Sequence, residues 1–101
     1  MSNASLTMPF RGELWDKALS YLRQAGAKAY AHSAYRQAAT LVEEAIGAIA
    51  RPPETRDRLE QGYDLRIELR HAFFMLGDAI RIRTVLAELV GLAERLGNPP
   101  V

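Results

Sequence analysis

A chain of 101 residues, 49% hydrophobic and 25% charged, is long enough for one compact unit and has the composition of a folding chain rather than a disordered one. Thirteen basic and twelve acidic side chains give a formal charge of +1, which argues against a strongly basic nucleic-acid binder. The absence of cysteine excludes disulfides, thiolate catalysis and thiolate metal sites.

No apolar run approaches the ~18–20 residues a membrane span needs, and the N-terminus lacks the charged-then-apolar order of a secretory signal, so a cytoplasmic location is expected. Residues 1–12 are expected to form a flexible N-terminal segment. Its opening "MSNAS" resembles a cloning remnant, and order is expected to begin near Pro9.

From Glu13, Leu14, Trp15, Ala18, Leu19, Leu22, Ala25, Gly26 and Ala29 recur at helical spacing, which predicts a first helix over 13–31 with a small-residue patch in its second half. His32 follows as a capping or solvated residue near the negative end of the helix dipole. Tyr35, Ala38, Ala39, Leu41, Val42, Ala45, Ile46 and Ile49 predict a second helix, stopped by Pro52 and Pro53 because proline removes a backbone donor and disfavours helix in the residue before it. The short link through Glu54 predicts antiparallel neighbours.

A third helix is predicted over 55–76. One stripe runs through Leu65, Leu69, Ala72, Phe73 and Leu76, and a second, roughly opposite, through Tyr63, Ile67 and Phe74. A helix apolar on two sides is either sandwiched or offers one side to a partner. Gly77-Asp78 marks a turn. A fourth helix over 79–96 carries Ile82, Val85, Leu86, Leu89, Ala93 and Leu96 on one broad face, closed by Gly97, Pro99 and Pro100.

The four helices form two pairs with a common offset. Leu22-x2-Ala25-Gly26-x2-Ala29 followed by Ala38-x3-Val42 and Ala45 loosely matches the tetratricopeptide pattern. Arg66-x2-Leu69-Arg70-x2-Phe73 followed by Ile82-x3-Leu86 and Leu89 repeats it 44 residues later, without the small residues that allow close helix approach. The expected fold is all-α: antiparallel helix pairs in a right-handed, tetratricopeptide-like helical repeat over 13–97, with two degenerate repeats and a tail at 98–101.

The pieces "YLRQAG", "AYRQA", "PPETRDRLEQ" with "DLRIELR", and "LGD" carry a resemblance that covers residues 13 to about 99. The chain resembles the tetratricopeptide-like region of large bacterial proteins that combine a class III adenylate/guanylate cyclase domain with an AAA-type ATPase module. That resemblance implies a regulatory or interaction segment, with cyclisation and ATP hydrolysis belonging to other domains. No G-x-x-x-x-G-K-[ST] phosphate loop occurs here, so neither activity carries over.

If the helices stack as in such repeats, the first helix of each pair lines a concave groove. The groove-facing positions would be Ser20, Arg23, Ala27 and Tyr30 on the first helix and Asp64, Ile67, His71, Phe74 and Met75 on the third. Arg23, Tyr30, Ile67, His71, Phe74 and Met75 are the candidate partner-binding residues, since aromatic and Arg anchors with a flexible thioether suit peptide recognition.

Glu68-x-x-His71 has the spacing of half a carboxylate-bridged di-metal site. The other half is missing, and Glu68 is expected instead to pair with Arg66, Arg70 or a facing side chain. The arginines at 56, 58, 66, 70, 81 and 83 alternate with acids, as on a solvated mixed-charge face. No nucleophile, acid and base converge, so no enzyme activity and no catalytic, cofactor or metal residue is expected.

The expectation is therefore a non-catalytic protein-protein interaction module that binds a protein or peptide segment, neither nucleic acid nor membrane. The alternative is a homo-oligomerisation module, a homodimer for instance, built on the apolar faces of the third and fourth helices, because two repeats fall short of the three a stable solenoid usually needs.

Overall fold

The computed structural model describes the backbone at residues 4–50 and 54–97, and the side chains at 14–50 and 54–97. Four helices account for nearly all of it: α1 (Ala4–Ala31), α2 (Tyr35–Ile49), α3 (Arg56–Leu76) and α4 (Ala79–Arg95). The predicted all-α class holds, with no strand among the described residues. Pro52, Pro53, Pro99, Pro100 and the 98–101 tail lie outside the described residues.

The boundaries follow local chemistry. Thr55, in extended backbone, caps α3 by accepting from the Arg58 N–H at 3.1 Å, and the Asp78 carboxylate accepts from the Arg81 N–H at 3.1 Å at the start of α4. Each satisfies a donor that the first helical turn leaves free. The boundary that differs from expectation by more than a residue is the first: α1 begins at Ala4, ahead of Pro9. A proline inside the opening turns removes a single backbone bond, so a helix can continue through it at a cost.

Each helix packs on its neighbour in sequence, α1 on α2, α2 on α3 and α3 on α4, and α1 does not pack along α4. The helices thus form an open row rather than a closed bundle. The middle of α1, the end of α2 and the start of α3 come together around Trp15, Ile49 and Arg58, and Arg56 at the start of α3 donates to Leu96 O at the end of α4, so successive helices run antiparallel.

The core runs along the middle of the row. Ala39, Val42 and Ala45 of α2, Leu65, Leu69, Ala72 and Phe73 of α3, and Val85 and Leu89 of α4 make one buried cluster. Tyr63 and Ile67, from the second stripe of α3, pack against it as well. That stripe is therefore explained mainly by sandwiching between two helices, and only Phe74, 72% exposed, points away.

The same turn closes both helix pairs. At the end of α1, Ser33 N–H donates to Tyr30 O at 2.9 Å and Ala34 N–H to Ala29 O at 2.8 Å; at the end of α3, Gly77 N–H donates to Phe74 O and Asp78 N–H to Phe73 O, both at 3.0 Å. This is the Schellman arrangement, whose penultimate residue is left-handed. Ser33 (φ 63°) and Gly77 (φ 71°) take that position, 44 residues apart, the offset already present in the sequence.

Glycine reaches this conformation without the Cβ penalty that serine bears. Ser33→Gly is expected to stabilise the fold by about 1 kcal/mol, raising Tm by roughly 4 °C, which thermal melts followed by circular dichroism would register. The exposed 3.3 Å hydrogen bond from Tyr35 Oη to Ser33 Oγ is a minor loss.

Candidate functional site

α1 and α3 are not sequence neighbours, yet they face each other across α2 and leave a furrow between them. One end of the furrow is a cavity of about 430 Å³, floored by Gly26, Ala38, Val42 and Ala72 and walled by Ala27 and Tyr30 on one side and His71 on the other. Small side chains make the floor. A Cβ on Gly26 would lie 3.3 Å from Val42 Cγ2, so glycine lets α1 approach α2 closely and keeps the space above open.

Tyr30 stands at the rim, 38% exposed, its ring held edge-on to Tyr35 at 5.2 Å between centroids. An aromatic fixed in this way offers contact area at small entropic cost.

The other end of the furrow is polar. A second cavity, about 500 Å³, lies between Asp16, Ser20 and Gln24 on α1 and Asp57 and Gln61 on α3. Arg23 borders both cavities and reaches across to Glu68, Nη2 to Oε2 at 3.3 Å. The furrow is thus divided: apolar beyond this bridge, toward Tyr30 and His71, and acidic before it, toward Asp16 and Asp57.

The predicted groove residues are distributed unevenly. Arg23, Ala27, Tyr30 and His71 line the apolar cavity and Ser20 the polar one. Ile67 is half-buried against the core and Asp64 is exposed, neither lining these cavities. Phe74 and Met75, 72% and 47% exposed, stand near the α3–α4 turn outside both.

Glu68 meets a facing side chain, one of the partners expected for it, while Arg66 reaches Glu88 of α4 at 2.9 Å. Glu68 and His71 line one cavity, but no cluster of three potential metal ligands forms among the described residues. Asp16, Asp57 and Gln24 escaped the sequence reading. Continuing the row Tyr30, Ala27, Arg23, Ser20 one more turn toward the N-terminus would have reached Asp16.

Comparison with protein-family models, with curated proteins and with solved structures finds no match. Three further arginines sit in ion pairs, Arg56 with Glu60, Arg81 with Asp78 and Arg95 with Glu54, as on a mixed-charge surface. Among the described residues no helix is long and apolar enough to cross a membrane.

Proposed function

We propose that this chain is a protein-interaction module that holds a peptide segment in the furrow between α1 and α3. The observation that carries the proposal is the divided furrow: an apolar cavity under Tyr30, a bridge at Arg23–Glu68, and a carboxylate pair at Asp16 and Asp57. Apolar pockets with a few placed polar groups are where ligands bind, and an apolar anchor in such a pocket supplies most of the affinity. The segment that fits presents one large apolar side chain to the cavity and a Lys or Arg to the acidic end.

Two further features support a tetratricopeptide-like arrangement of the module: the 44-residue offset shared by both helix pairs, and the placement of the furrow on the first helix of each pair. The resemblance of "YLRQAG", "AYRQA" and "PPETRDRLEQ" to the corresponding region of bacterial cyclase–ATPase proteins supports a regulatory setting, with the segment supplied by a signalling partner. Nothing in the furrow assembles a nucleophile with a base, so we assign it no chemistry beyond recognition.

The test is a panel of fluorescein-labelled dodecapeptides with a central Leu or Phe flanked by Lys/Arg, by Asp/Glu or by Ser, titrated by fluorescence anisotropy. The basic set is expected to bind in the micromolar range and to weaken with salt, and the acidic set is expected to fail. Ala27→Leu places a side chain in the cavity from an exposed helical position; it is expected to cut affinity by about tenfold or more and leave Tm unchanged. Equal, feeble binding by all three sets would overturn the proposal.

A further inference from the structure

α2 lies inside the row and is covered by α1 and α3; α4, its counterpart 44 residues on, is covered by α3 alone. The difference is visible residue by residue. Ala39 and Val42 are 4% and 3% exposed and Ile46 is half-buried, whereas Arg83 is exposed and Leu86 and Val90, at the corresponding positions, are 43% and 44% exposed.

The other end of the row shows the reverse deficit. On α3, a Cβ on Gly62 would lie 3.5 Å from Ile49 Cδ1 of α2, and Leu65 and Leu69 are buried. Their counterparts on α1 are Ala18, Tyr21 and Ala25; Ala18 is exposed, Tyr21 is 69% exposed and Ala25 is half-buried. One end of the row therefore repeats the α2 half of the internal α2–α3 interface, and the other end repeats the α3 half.

We infer that these two faces meet between copies, the Ala18–Tyr21–Ala25 face of α1 in one copy docking antiparallel on the Leu86–Val90 face of α4 in the next. The occupant of each face is a second copy of this chain, because the chain itself carries both halves of a contact it already makes internally. Antiparallel docking in the register of the internal interface brings Lys17, in the middle of α1, toward Glu94, near the end of α4, which favours this register. Lys28 and Arg83 fall together at the opposite end and oppose it, so the association is weak and grows with concentration.

The two faces are different surfaces, so the contact is heterologous: it adds copies head to tail instead of closing a symmetric dimer. The helical row continues across each junction. The furrow between α1 and α3 is on another side of α1 and stays accessible, so this inference stands apart from the peptide proposal.

Sedimentation velocity over a concentration series is the first measurement, with Tyr21→Glu and Val90→Glu as variants at the two exposed faces. Wild-type protein is expected to form a growing ladder of species. Each variant alone, blocked at one end, is expected to be at least about tenfold weaker in self-association, with an unchanged circular dichroism spectrum.

Mixing the two variants is the decisive experiment. Each retains one good end, so the mixture is expected to form a 1:1 heterodimer that grows no further. A wild-type monomer up to about 1 mM would overturn the inference, as would a closed dimer that mixing does not restore. Ala27→Leu, which fills the furrow and leaves both ends intact, is expected to assemble like wild type, which separates a failure here from a failure of peptide binding.

Discussion

Ala45→Asp is expected to leave the protein unfolded at neutral pH. Ala45 has no exposed surface and sits in the central cluster of α2 with Leu65 and Phe73 nearby in the same core. A carboxylate there loses its hydration without gaining a partner, at a cost of about 4 kcal/mol or more, which is most of the stability of a domain this small. Burial raises the folded-state pKa of such a carboxyl above its unfolded value of about 3.9, so the penalty is full at high pH and shrinks as pH falls. Circular dichroism should therefore show helicity returning toward pH 4. Ala45→Asn, equally polar but without a charge, should show no such recovery, and a similar pH profile for both would refute the explanation.

Leu65→Ala is expected to cost about 3 kcal/mol, the middle of the range for a fully buried leucine whose cavity cannot collapse. Among the described residues Leu65 is the largest side chain buried completely, and it lies on the helix held between two others, so neighbours on both sides restrict relaxation. With a urea dependence of about 1.5 kcal/mol/M, the unfolding midpoint should fall by roughly 2 M. A shift under about 0.5 M would mean that α2 and α4 close over the gap and that the row is looser than its packing implies.

Much of the fold was legible because its signals are local. Gly77 before Asp78 marked the end of α3 and the start of α4, and the Leu65, Leu69, Ala72, Phe73 stripe marked its core face. Leu86 was misleading: spacing places it on the apolar face of α4, but that face is broader than the one helix available to cover it, and Leu92, unnoticed, is buried instead. The start of α1 was hidden by Pro9, whose local cost does not decide the helix by itself.

The furrow was legible in part. Arg23, Ala27 and Tyr30 lie three to four residues apart, so they share a face wherever α1 packs. What spacing could not supply was the far wall. Arg23 and Glu68 are 45 residues apart, and their meeting depends on how two helix pairs are set against a shared α2. Ile67 and His71 are both close to Glu68 in sequence, yet Ile67 packs against the core and His71 lines the cavity.

The Arg23–Glu68 bridge also sets a mechanical property of the molecule. It joins the two helix pairs across the furrow, and its side chains are 35% and 41% exposed, so it contributes at most about 1 kcal/mol and is screened further by salt. The buried contacts that hold the row together pass through α2 instead. Opening the furrow therefore gives up one solvated ion pair at little cost, and the resistance to it comes from the packing of α1 and α3 on α2. The width of the furrow is thus set by the packing on α2, and the bridge across its mouth adds a small increment that weakens as ionic strength rises.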